Sequence, residues 1–286
     1  MTVFQMVKYH GQTYPDHIPL NYEEVTGTFD SIGATSALGM SLHTEYSFDS
    51  REFSTPLVTR FPEIIAANKR GIPQLWKNSA WASQFSDFVF ALIGEGLPPK
   101  IIEVHPPFND YTDLDGFISS YSVFEAKIKA RFPETQILLE NRCGSRYGKS
   151  FLVSKFEDVV TVKQKIEMNR LALRLAFDVP QIFTAEEADD SKAYTALLEQ
   201  ASTIKDFIEG VHLWGKKETK TGRRVSHCGD LNTYFKDPAI KQEFLANFVR
   251  CFNDDKVRKM VLEVNSGNDD LRSILSDLEA AGVRFV

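Results

Sequence analysis

Short runs of apolar and β-branched residues alternate along this chain with longer stretches whose apolar positions recur every three or four residues. The short runs predict strands at Val3–Tyr9, Ala37–His43, Lys100–His105, Gln136–Glu140, Ala172–Asp178, Phe207–His212, Lys259–Glu263 and Val283–Val286. The longer stretches predict helices at Ser54–Asn68, Ser79–Ile93, Leu114–Arg131, Lys155–Met168, Glu186–Ile204, Ala239–Phe252 and Leu271–Ala281. In the fourth of these, Phe156, Val159, Val160, Val162 and Ile166 fall at near-helical spacing with charges between them. Asn268-Asp269-Asp270 reads as an N-terminal cap and Gly282 as a stop.

Strands that alternate with helices imply a parallel sheet with right-handed crossovers. Eight strand candidates favour a single α/β domain over residues 1–286, a (β/α)8 TIM barrel, with a doubly wound open sheet as the alternative. The eighth candidate, Val283–Val286, is the last segment, so the helix that usually follows the final strand is expected to be missing. An apolar content of 43% is ample for one large core. No stretch approaches the roughly 20 apolar residues of a membrane helix. The opening MTVFQMVKYHGQTYPDH lacks the basic flank and apolar run of a secretory signal. Cys143, Cys228 and Cys251 lie far apart with no CxxC pair, which argues against a disulfide framework or a cysteine-rich zinc site and suits a cytoplasmic location.

The chemistry sits where the strands run out. KIIEVHPPF ends on His105, QILLENR on Glu140, LAFDVPQ on Asp178, EGVHLWG on His212 and VLEVNSG on Glu263, and GMSLHTEY adds His43. In a parallel barrel such ends open on one face, where barrel active sites are built. Taken singly, each is as readily an isolated strand-end polar group; Glu140, Asp178, His212 and Glu263 together read as a metal centre. Imidazole and carboxylate ligands suit zinc, manganese or iron(II), with magnesium a further candidate. Buried carboxylates without a cation would repel one another. His10 and His17 fall in a loop and read as solvated or structural.

The net charge of −6 hides a local asymmetry. The loop Arg142–Lys149 carries Arg142, Arg146 and Lys149 and no acid; the loop Gly215–Cys228 carries Lys216, Lys217, Lys220, Arg223 and Arg224 against Glu218. Basic loops on the catalytic side favour an anionic substrate, although a solvated basic loop has the same composition. Trp214, two positions after His212, could stack on a base or sugar or could pack internally.

Across about residues 37–265, the segments LHTEY, EVHPPF, LLENRCG, LAFDVPQ, VHLWGKK, SHCGDL and LEVNS resemble the xylose isomerase-like TIM barrels, and within them the endonuclease IV (AP endonuclease family 2) branch. The Glu–Asp–His–Glu set is shared by that superfamily, isomerases and epimerases included, and His43 and His105 look more like the endonuclease branch. The resemblance implies that His43, His105 and Glu140 hold one metal, with Glu140 bridging to a second held by Asp178, His212 and Glu263. Two departures matter. Gln181 stands where that branch has a histidine, and Val225-Ser226-His227 replaces an Asp-x-His, so only His227 remains of three ligands to a third metal.

A dinuclear hydrolase of phosphodiesters or related phosphate esters is therefore the first expectation. Its two ions would be zinc or manganese, and its substrate anionic, such as abasic DNA. Arg142, Arg146, Lys216, Lys217, Arg223 and Trp214 would bind that substrate, and Gln181 and His227 would assist metal or substrate. The second expectation is a sugar or sugar-phosphate isomerase or epimerase with Glu140 and Glu263 shuttling a proton. No membrane partner is expected.

Overall fold

The computed structural model describes residues 1–9, 11–27, 36–44, 59–67, 74–146 and 149–286, the side chains at 145, 146 and 149 apart. His10 and residues 54–58 and 68 of the helix expected at Ser54–Asn68 lie outside the described residues; Pro62–Ala67 is helical.

Eight strands build the main sheet: β1 Val3–Lys8, β2 Leu20–Gly27, β3 Gly39–Thr44, β4 Ile101–Val104, β5 Gln136–Glu140, β6 Arg174–Asp178, β7 Ile208–Leu213 and β8 Val257–Leu262. They neighbour one another in chain order. β8 then pairs in parallel with β1, from Val3 opposite Val257 to Val7 opposite Val261. The sheet closes on itself as an α/β TIM barrel. The helices are α1 Pro62–Ala67, α2 Ser79–Ile93, α3 Leu114–Arg131, α4 Phe156–Met168, α5 Val179–Ala185, α6 Ser191–Thr203, α7 Leu231–Phe235, α8 Pro238–Cys251 and α9 Asn268–Ala280 among the described residues.

Seven of the eight expected strands are barrel strands, and the eighth is not. Val283–Val286 contributes only the short strand Arg284–Phe285, which lies along the start of β1. The place in the barrel belongs instead to β2, Leu20–Gly27, whose buried positions are Glu24 and Gly27. A strand that buries a carboxylate and a glycine carries no apolar alternation, so periodicity misses it. With Val257–Leu262 as the last barrel strand, α9 is the helix that follows it, and the expected gap in the pattern disappears. The helix expected at Glu186–Ile204 starts later, where Asp190 accepts a hydrogen bond from the Ala193 amide at 2.7 Å and caps α6. The short α5 precedes it, directly after β6.

By internal contacts the chain forms two compact units, Met1–Glu23 with Ala176–Val286, and Glu24–Leu175. In the second, α2 is capped by Asn78 and buries Trp81, Phe85 and Phe88. Trp76 packs edge-on to Trp81 at 5.1 Å, and Phe85 stacks on Phe124 at 5.4 Å. In the first, Phe183, Tyr194, Phe235 and Phe244 form the corresponding aromatic layer between helices. Each such fully buried ring contributes about 1.5–3 kcal/mol by leaving water. Among the described residues, no helix is long and apolar enough to cross a membrane.

Candidate metal centre

In the unit Glu24–Leu175, three strand ends converge on one carboxylate. Glu140 closes β5 and is fully buried. Its Oε2 lies 3.0 Å from His105 Nε2 and 3.2 Å from His43 Nε2, and the two imidazole nitrogens are 3.0 Å apart. Its Oε1 accepts a hydrogen bond from Arg142 at 2.7 Å. Burial alone would raise the Glu140 carboxyl, but the Arg142 guanidinium and the two imidazoles outweigh it and hold the group well below its usual range. Burial pulls the His105 imidazole down to about 4. His43 is half-buried, and Glu24 and Glu140 beside it outweigh its desolvation and raise it well above its ordinary value. The Trp76 indole donates to the His105 carbonyl at 2.8 Å and fixes the turn that carries this ligand.

The other unit holds a second cluster. Asp178 ends β6 and caps α5, with Oδ1 accepting from the Gln181 amide at 3.0 Å. Its Oδ2 accepts from the Trp214 indole at 2.9 Å. His212 Nδ1 lies 3.0 Å from Glu263 Oε1, and His227 Nδ1 2.9 Å from Glu263 Oε2. Burial would raise the Glu263 carboxyl, yet the bonds to His212 and His227 keep it well below its usual range. His227 adopts a left-handed backbone, φ +57°, and its ring lies 4.3 Å from that of Trp214. Gln12 donates from Nε2 to the carbonyls of Leu262 and Val264, at 3.1 and 2.8 Å, and clamps the backbone on both sides of Glu263.

Both clusters fit a divalent ion by their donor chemistry. His43, His105 and Glu140 offer ligand atoms within 4.8 Å of one another, and so do Asp178, His212 and Glu263. Two ligands at about 2.1 Å from a shared ion stand roughly 4 Å apart at most, so small shifts would close either set on an ion.

The expected substrate-binding residues divide. Trp214 is 1% exposed, donates to Asp178 and lies against the ring of His227, so it has no face left for a base or sugar. Arg142 turns back onto Glu140. Lys216 is tied to Thr184 at 2.5 Å and lies over the rings of Trp214 and Tyr234. Lys217 and Arg223 remain exposed near the β-hairpin that pairs Lys216–Glu218 with Arg224–Ser226. The Arg146 side chain lies outside the described residues. Gln181 is buried, with its amide on Asp178. Sequence reasoning missed Glu24, Trp76 and Gln12. Each touches a candidate ligand or the backbone that carries one, and no motif marks such a place.

A parallel barrel with buried histidine–carboxylate clusters at its strand ends defines a class of protein, and comparison with solved structures places the chain within that fold. It is similar to a structure described as a D-tagatose 3-epimerase-like protein, at 14% identity and a TM-score of 0.50, covering 97% of this chain and 98% of that one. A xylose isomerase domain protein from Alicyclobacillus acidocaldarius subsp. acidocaldarius aligns at 11% identity and a TM-score of 0.49, over 98% of each chain. Another, from Planctomyces limnophilus, aligns at 12% and 0.47, over 97% of this chain and 94% of that one. No protein-family model and no curated protein matches the sequence.

Proposed function

We propose that the protein is a divalent-metal-dependent isomerase or epimerase of sugars or sugar phosphates, of the xylose isomerase-like kind. The observation that carries this reading is the buried Asp178–His212–Glu263 cluster. The fold likeness to an epimerase-like protein supports the reaction class. A bound manganese, zinc, magnesium or iron(II) ion would supply Lewis acidity toward a carbonyl or hydroxyl. Glu140 and Glu263 are the carboxylates assigned to proton transfer. Their basic neighbours hold both ionised, the state a proton acceptor needs. Trp214 holds the Asp178 carboxylate, and Gln12 holds the backbone on both sides of Glu263. The exposed Lys217 and Arg223 are available to a phosphate on the substrate.

The test is proton exchange. Protein loaded with Mn2+ or Zn2+, incubated in D2O with a panel of ketoses and their phosphates, is expected to incorporate deuterium at a carbon next to the carbonyl of one of them. Metal-loaded protein that exchanges no proton in any member of the panel would overturn the reading.

The His43–His105–Glu140 cluster favours a second reading, a dinuclear phosphoesterase. On that reading His105→Ala removes one ion and leaves the Asp178–His212–Glu263 ion in place; on the isomerase reading the metal count does not change. If the phosphoester is DNA, affinity for an abasic duplex should fall with salt, at a log–log slope of about −0.9 per neutralised phosphate. Lys217→Ser with Arg223→Ser should flatten that slope. No binding at low salt excludes nucleic acid.

A further inference from the structure

Glu24 sits on β2 with its side chain 1% exposed, and its Oε1 lies 3.2 Å from His43 Nδ1. The opposite nitrogen of that ring, Nε2, is the one directed at Glu140 and His105. A histidine that ligates a metal through Nε2 carries its proton on Nδ1, and an acceptor there sets both the tautomer and the angle of the ring. Glu24 is the acceptor in that place. Its second oxygen, Oε2, is fully buried and makes no hydrogen bond among the described residues. A carboxylate buried with only one of its oxygens satisfied costs stability, and an apolar side chain of similar size would not. A position that served packing alone would therefore favour leucine.

We infer that Glu24 is a positioning residue, completing a Glu24–His43–metal relay that orients His43 toward a divalent ion at the His43–His105–Glu140 cluster. This rests on the second reading above, in which the His43–His105–Glu140 cluster holds an ion of its own.

The experiment compares wild type, Glu24→Gln and Glu24→Leu by chelator competition with Zn2+ or Mn2+ alone, by thermal melting, and by 15N NMR of the His43 ring in the zinc-loaded protein. Glu24→Leu is expected to weaken one ion about 10–100-fold, the range of partners that orient a ligating histidine. The Asp178–His212–Glu263 ion should keep its affinity, and Tm should stay level or rise. Glu24→Gln still offers an oxygen to Nδ1–H and should recover most of the lost affinity. The Nδ1 proton should be seen in wild type and Glu24→Gln and lose its protection in Glu24→Leu. Unchanged affinity in Glu24→Leu overturns the inference and leaves the metal reading intact. A Tm fall with both ions weakened alike assigns Glu24 to folding and overturns it too. Wild-type protein that binds no ion defeats the metal reading itself, and this inference with it.

Discussion

Glu140→Gln should lose activity by about 10²–10⁴-fold, the range that a positioned general base contributes, and on the dinuclear reading it should lose the ion of its own cluster as well. The carboxylate is fully buried, and both oxygens are in use: Oε1 takes the Arg142 guanidinium, and Oε2 faces His105 and His43. Glutamine keeps the shape but removes the charge, and it replaces one acceptor by an NH2 donor. If that NH2 faces Arg142, donor meets donor; if it faces the imidazoles, it takes the position of a metal-ligating oxygen. Either way one buried partner is left unsatisfied, at about 1–3 kcal/mol. Metal content by mass spectrometry and turnover on the same sample check this. Full metal and normal turnover would remove Glu140 from the site.

Arg258→Met carries the largest expected effect on stability, about 3–5 kcal/mol, because the buried guanidinium serves half-buried Asp254 and two backbone carbonyls, and each partner stranded without a donor costs about 1–3 kcal/mol. Arg258 is 1% exposed within β8. Its guanidinium donates to both oxygens of Asp254, at 2.8 and 2.9 Å, and to the carbonyls of Lys205 and Ile208, at 2.9 and 3.1 Å. It thereby ties the turn before β8 to the start of β7 within one unit. The loss corresponds to a Tm fall on the order of 10 °C for a chain of this length. The same pair sets an acid dependence. Hydrogen bonding to Arg258 is the main cause that lowers the Asp254 carboxyl from 3.8 to about 2. A carboxyl depressed in the folded state adds stability above its unfolded value, and that stability is lost as pH falls from about 4 toward 2. Wild-type Tm should therefore decline across that window more steeply than that of Arg258→Met. Parallel declines would place the acid sensitivity elsewhere.

Both residues show what a sequence yields and what it hides. Runs such as QILLE and RLAFD were legible because apolar side chains fill the strand and a carboxylate ends it; hydropathy and chemistry change at the same position. The main strand ends, and with them six candidate ligands, could be read in this way. Leu20–Gly27 was not legible, because its most buried side chain is Glu24, and a carboxylate in that place reads as solvent-facing. Val283–Val286 was misassigned for the converse reason: it is apolar enough to be a core strand but reaches only the start of β1. Trp214, two positions after His212, left stacking on a ligand and internal packing both open. Whether an indole faces a substrate or a neighbouring carboxylate depends on side-chain direction, which spacing does not encode.

The seam between β1 and β8 also governs how this protein can be made. Val3 pairs with Val257, so during synthesis β1 waits for a partner roughly 250 residues later in the chain. At about 5–20 residues per second, that wait is on the order of tens of seconds. Throughout it Phe4, Met6 and Val7, all fully buried in the finished fold, lack the strand that will cover one edge of theirs. Contacts so distant in sequence form late and slowly. The emerging chain therefore presents an adhesive apolar edge to its surroundings during synthesis, and a chaperone that shields extended apolar segments would raise the yield of folded protein most when it engages Val3–Lys8.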